Sequence, residues 1–379
     1  MRFGGGIARD QYREGMLSIF RSPSRYLQGR NATGSLGAQL AEIGLTGPAL
    51  FVASPRTTAQ LSATWRASLD AAGIPFTIHA FGGESTQAEI LAGAEAGREA
   101  GSTVVIGAGG GKALDAARGI AHELGVPIVN CPTLASSDAP CSAVSVIYTP
   151  EGVVEGYRYY PRNPDLVVVD TSIIARAPRR YLVSGMGDAL ATWYEARTVI
   201  EAHGVNQVGG LPTMTAGALA ELCCRTLMAD GPDAVAAVDA QSVTPALERI
   251  VEANTLLSGL GFESGGLAIA HAVHNGLTAV PRTHPYMHGE KVAFGLLVQL
   301  VVEGRPTSEL RKVVDFCRGV GLPTTLSDVG LADLADDELT AIAEVTVRPQ
   351  STAHHEPFPV TAEMIADGVR AADALARER

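Results

Sequence analysis

At 379 residues the chain has the length of about two domains, and an apolar fraction of 46% marks a packed globular protein. The formal charge is −11 with no cluster of Lys or Arg, which excludes a nucleic-acid partner, because phosphate backbones are held by concentrated positive charge. No window approaches the roughly 20 uninterrupted apolar residues of a membrane span, so no membrane association is expected.

Residues 1–20 read as a leader set apart from the fold, and Met1-Arg2-Phe3 opens no apolar signal core. From there strand and helix signals alternate. Residues 36–43 read as a helix, 49–53 as a buried strand, 57–72 as a helix, 76–80 as a strand and 87–100 as a helix. Then come 103–106 (strand), 113–124 (helix), and 127–130 and 166–169 (strands). Residues 144–148 and the stretch around Tyr157 read as an inserted hairpin. Short β-branched runs between amphipathic helices predict a parallel sheet covered on both faces. After residue 176 the texture changes to helical periodicity alone, over 178–197, 213–228, 233–241, 244–259, 267–279, 291–303, 308–321 and 362–377. The expectation is an α/β domain over 21–176 and an all-helical domain over 177–379.

Cys131, Cys141, Cys223, Cys224 and Cys317 form no C-x-x-C pair and read as reduced, buried thiols, which suits a cytoplasmic protein. Lysine occurs only at positions 112, 291 and 312. Codon bias explains the scarcity, but not why two survivors sit beside the motifs below.

Gly109, Gly110, Gly111 and Lys112 follow the strand at 103–106. Glycines there let main-chain N–H groups approach a pyrophosphate that a Cβ would block. Glycine turns after strands are common, so the motif alone is weak. No Ser or Thr follows Lys112 to hold magnesium, which turns the reading from phosphoryl transfer to a dinucleotide. Pro132 to Ser142, with Thr133, Ser136, Asp138 and Ser142, follows another strand and can be a polar turn or a ligand loop.

Asp188 lies in Gly185-Met186-Gly187-Asp188, His271 in Ala270-His271-Ala272, and His288 opens His288-Gly289-Glu290-Lys291. One carboxylate and two imidazoles match a catalytic zinc site that keeps a position open for substrate. Each also has a structural reading, a helix cap for Asp188 and a core residue for either histidine. Helix periodicity does not explain why His271, His274, His284 and His288 crowd into one short stretch. One of them can orient another.

These motifs together closely resemble the zinc-dependent glycerol dehydrogenase branch of the iron-containing alcohol dehydrogenase-like superfamily. The likeness runs from about Phe20 to Ala362 and is most specific at Gly109 to Asp115, Pro132 to Thr149, Gly185 to Arg197 and Gly265 to Gly276. It implies a Rossmann-like α/β domain, an all-α C-terminal domain and a cleft between them for NAD and zinc. It implies zinc ligation by Asp188, His271 and His288, and pyrophosphate contact at Gly109, Gly110, Gly111 and Lys112. Further cofactor positions are Ser54, Thr133, Ser136, Ser142, Val144 and Tyr148. Asp138 matches a carboxylate beside the substrate hydroxyls, Tyr157 lines that pocket with His271, and His274 or His284 would relay a proton. Thr192 stands where iron enzymes of the superfamily carry a fourth ligand.

Ser54 stands where the family places an acid for the adenosine ribose, which leaves NADP open beside NAD. The activity implied is oxidation of glycerol, or a related small vicinal diol, to a hydroxyketone in a homo-oligomer, octamers among the family's assemblies. Rival readings are a glycerol-phosphate dehydrogenase using Arg158 and Arg162, a lyase of the dehydroquinate synthase type, and a non-catalytic binding protein.

Overall fold

A computed structural model describes residues 16–378. Six strands form one parallel sheet: β1 (Tyr26–Gly29), β2 (Ala49–Ala53), β3 (Phe76–Ala80), β4 (Val104–Gly109), β5 (Ile128–Pro132) and β8 (Leu166–Asp170), in the order β1-β8-β5-β4-β2-β3. The remaining two, β6 (Val144–Tyr148) and β7 (Val154–Tyr159), pair antiparallel as a separate hairpin. The central strands β2, β4, β5 and β8 are buried throughout, as their mostly apolar runs, interrupted only by Asn130 in β5 and closed by Asp170 in β8, require when helices cover both faces. Phe51 and Trp65 stack at 4.4 Å in the core beneath one face. A second core fills the other face, with Ile90 and Ile120 in it.

Chain order reverses between β2 and β4: β3 lies outside β2, whereas β5 and β8 extend from β4. In sheets of this kind the crevice beyond the carboxyl ends at such a reversal receives ligands. Ser54 and Gly109 to Gly111 stand at those two strand ends.

Among the described residues no strand follows Asp170. Helices Arg179–Glu201, Met214–Asp239, Ile269–Leu277 and His288–Val302 enclose the largest apolar core, which the sheet side joins through Val167 and Val169. No single described helix is long and apolar enough to cross a membrane; one bent pair passes by composition, and its members line this core.

Several expectations are corrected. Residues 213–241 form one helix, Met214–Asp239, passing through Pro232. The helix at 244–259 continues to Gly265 through a π-helical turn at Ala253–Leu257. Strand β1 and the helix Asp336–Thr346 were not anticipated. Of the leader expected over 1–20, residues 1–15 lie outside the described ones, and Ile19 N donates to Leu211 O at 3.1 Å.

Candidate active site

The glycines around Asp188 explain how the two main helices meet. At Gly289 a Cβ would overlap the Ser184 carbonyl oxygen and approach Asp188 N to 2.9 Å; at Gly187 it would overlap the Gly289 carbonyl. Helices Arg179–Glu201 and His288–Val302 therefore touch backbone to backbone, which brings His288 over Asp188. Their contact needs hydrogen in place of a side chain, the constraint that small residues meet in close helix pairs.

His271 comes from a third helix, Ile269–Leu277, whose first turn is tied down from outside. Glu195 Oε1 accepts from Ala268 N (2.8 Å) and His271 N (3.0 Å), and Gln299 Oε1 accepts from Ala270 N (3.0 Å). These carboxylate and amide oxygens satisfy N–H groups that a helix leaves open at its start. Glu195 Oε2 also lies 2.6 Å from His271 Nδ1, so one fully buried glutamate fixes both the backbone and the ring.

His271 Nε2 and His288 Nε2 converge on Asp188 Oδ1 at 3.2 and 3.0 Å. The three donor atoms lie within 4.8 Å of one another. Burial alone would raise the Asp188 carboxyl, but His288 and His271 hold it well below its ordinary value. For His271 burial opposes the charged ring, while Glu195 and Asp188 carry it well upward. A carboxylate kept ionised beside two imidazoles, with Nδ1 of each ring bonded elsewhere, is the donor set of a divalent metal. The residues present fit that group. Replacing Glu195 with Gln leaves too few acceptors for its three N–H donors, so metal affinity should fall about 10- to 100-fold, measured against a competing chelator.

His288 Nδ1 meets His274 Nε2 at 3.0 Å, and His274 Nδ1 meets Asn275 Oδ1 at 3.1 Å. Tyr157 donates its hydroxyl to the same Asn275 oxygen at 3.1 Å, linking the β6–β7 hairpin to the helical half. Burial, then His288 and Lys291, keep His274 well below the ordinary imidazole value. A neutral His274 accepts from His288 and donates to Asn275, which suits orienting His288. His284, its rival as proton relay, is exposed and bonds the Thr278 carbonyl at 3.0 Å.

Asp138 reaches the same cluster from the loop after β5. Its backbone N donates to Asp188 Oδ2 at 3.2 Å, and its Oδ2 accepts from Ser258 Oγ at 2.9 Å. Thr192 Oγ1 lies 2.8 Å from Ser258 Oγ, so Thr192 supports Asp138 through a hydroxyl pair. Burial and the Asp188 charge push the Asp138 carboxyl well up.

On the sheet side, helix Gly111–Leu124 begins at the carboxyl end of β4 with no side-chain cap. Gly110 and Gly111 carry nothing over its first turn, and Thr133 N bonds the Gly109 carbonyl at 2.9 Å. An uncapped helix start beneath bare glycines fits a nucleotide pyrophosphate. Lys112 Nζ lies 2.6 Å from each Glu84 carboxylate oxygen and 4.7 Å from the Tyr148 ring centre. Buried Arg118 binds Asp115 at 2.8 Å, Ala139 O at 2.6 Å and the Val144 carbonyl, which holds both the Asp138 loop and the hairpin onto this helix. Burial, partly offset by Arg118, raises Asp115 to about 6. Ser136 accepts at its carbonyl from Ser184 Oγ (3.4 Å), while buried Ser142 donates its hydroxyl to Ala139 O (3.4 Å). Ser54 is spent as the N-cap of helix Pro55–Ala71, accepting from Thr57 N at 3.2 Å.

The structure thus brings Asp188, His271, His288, His274, Asp138 and Tyr157 into one bonded group. Lys112 and Tyr148 meet at the glycine turn. Arg158, weighed as a phosphate-binding cation, pairs with Glu123 at 2.7 Å, on the strand face opposite Tyr157. Arg162 borders a different crevice with His122 and Asp165. Glu195, Ser258, Asn275, Arg118 and Glu84 were missed. Glu195 lies two helical turns after Asp188 on the same face, but that spacing alone does not separate a buried glutamate from a solvated one.

Residues 23–171 match the family model described as iron-containing alcohol dehydrogenase. The chain is 53% identical over 301 residues to a glycerol dehydrogenase of Thermotoga maritima, covering 79% of this chain and 82% of that one. It is 46% identical to a glycolaldehyde reductase of Halobacterium salinarum, over 96% of this chain and 99% of the other. A crystal structure of a probable glycerol dehydrogenase from Sinorhizobium meliloti superposes with a TM-score of 0.90 at 41% identity, covering 95% of this chain and 99% of that one.

Proposed function

The chain belongs to the iron-containing alcohol dehydrogenase family, and from that membership we propose that it oxidises glycerol, or a related small vicinal diol, to a hydroxyketone with NAD and zinc. One observation carries the reading: Asp188, His271 and His288 converge within 4.8 Å beside a glycine turn suited to a dinucleotide. When bound, the metal supplies Lewis acidity to the substrate hydroxyls and the nicotinamide accepts the hydride. The protein's own part is to hold, orient and exclude.

Asp188, His271 and His288 hold the metal, and Glu195 and His274 fix the two rings. Asp138 holds the second hydroxyl of the diol, tethered by Ser258, so the reacting carbon is presented in one orientation. Tyr157, bonded to Asn275 from the β6–β7 hairpin, lines the substrate side next to His274. Gly110, Gly111 and Lys112 take the pyrophosphate, with Thr133, Ser136, Val144 and Tyr148 along the cofactor. The glycolaldehyde reductase likeness supports the same chemistry run in reverse on a small hydroxyaldehyde. Steady-state rates across glycerol, propane-1,2-diol, glycerol phosphate and glycolaldehyde test the assignment; turnover confined to the phosphorylated compound would overturn it.

The cofactor choice rests on the end of β2, where Ser54 replaces a carboxylate and exposed Arg56 follows. We assign tolerance of NADP to that pair. Ser54→Asp should shift the NAD-to-NADP ratio of kcat/KM by roughly tenfold or more toward NAD, through repulsion of the 2′-phosphate. We also place the protein in the cytoplasm as a homo-oligomer. Exposed Leu17 and Met214 support a second copy, and light scattering tests it.

A further inference from the structure

Lys112 is the cation that follows the glycine turn in sequence, and its ammonium already has a partner. Both carboxylate oxygens of Glu84 lie 2.6 Å from its ammonium, in the loop that follows β3. The side chains remain partly open, 41% for Lys112 and 31% for Glu84. Tyr148 offers its ring face to the same ammonium at 4.7 Å, and Tyr148 N bonds the Ser85 carbonyl at 3.0 Å. Three segments therefore meet at one positive charge: the loop after β3, the first turn after β4, and the end of β6. Among the described residues, Glu84 is the only carboxylate paired with Lys112.

We propose that Glu84 tunes cofactor affinity by competing with the dinucleotide pyrophosphate for Lys112. The inference rests on the dinucleotide reading of the glycine turn. A pyrophosphate carries two negative charges, and a carboxylate beside it repels them while neutralising the cation that would attract them. Glu84 thus makes the turn close to neutral, and binding must weaken the ion pair. The consequence is a looser grip on the oxidised and reduced cofactor alike, which speeds exchange between turnovers. Glutamine at position 84 keeps an oxygen for the ammonium and the same shape, but removes the competing charge. Glu84 acts through Lys112, so it is a positioning residue.

The test is calorimetric titration of the metal-loaded protein with NAD, with ADP-ribose as a probe lacking nicotinamide. Glu84→Gln should tighten both ligands about two- to fivefold, the range of a partly exposed ion pair. The gain should shrink as salt rises, since such charges are screened over roughly 10 Å at 0.1 M ionic strength. In a Lys112→Met background the same substitution should give less than half that gain. Unchanged or weaker binding by Glu84→Gln, or an equal gain without Lys112, would overturn the competition. A wild-type protein that binds neither NAD nor NADP would overturn the dinucleotide reading, and this proposal with it.

Discussion

His271→Ala should remove the bound metal and nearly all activity, with kcat/KM falling about a thousandfold or more. The loss has two sources. One of the three proposed ligands disappears, and Glu195 is left fully buried with a carboxylate oxygen that had His271 Nδ1 at 2.6 Å. A buried carboxylate oxygen left without its hydrogen-bond partner costs free energy whether or not metal is present. Metal content per chain, read by elemental analysis beside the rate, separates ligand loss from unfolding. His284→Ala is the contrast: this ring is exposed and, among the described residues, bonds the Thr278 carbonyl alone, so rate and metal should stay within about twofold of the parent. An active, metal-free His271→Ala protein would sink the ligand assignment.

Gly289→Ala should be the most destabilising glycine-to-alanine change among the described residues. The added carbon would overlap the Ser184 carbonyl, and helix backbone cannot rotate away as a side chain can. Forcing the two helices apart should cost about 3 kcal/mol or more, at the upper end of overpacking effects. It should also draw His288 Nε2 from its 3.0 Å approach to Asp188 Oδ1. Thermal unfolding and metal affinity should therefore fall together. Gly319→Ala is a control, because a Cβ there meets nothing within 4 Å and alanine favours the helix. A Gly289→Ala protein with unchanged melting temperature and metal affinity would refute the close-contact account.

Long periodic elements were legible because burial dictates them: β2, β4, β5 and β8 are short, mostly apolar runs, and helix Gly111–Leu124 has Gly125 as its left-handed stop. Strand β1 was not, since Tyr26–Gly29 is four half-buried residues whose pairing with β8 is a tertiary event. The sequence reads as two helices, 213–228 and 233–241, yet Met214–Asp239 is one helix running through Pro232, with Gly231 packed against Phe316. The π-helical turn at Ala253–Leu257 carries the helix on to Ser258, whose hydroxyl meets Asp138; nothing in local propensity signals such a turn. The convergence of Asp188, His271 and His288 was readable because the nine histidines are scarce enough for their crowding to stand out in apolar helices. Glu195 was not, since a helical glutamate ordinarily faces water. Glu84 was invisible for a different reason: its meaning depends on Lys112, which only the sheet order brings to it.

The most direct test of the central claim follows nicotinamide absorbance with glycerol on protein as purified, after chelation, and after zinc is returned, with NAD and NADP in parallel. The account predicts turnover that chelation removes and zinc restores. Full activity in protein shown to be free of metal would contradict it.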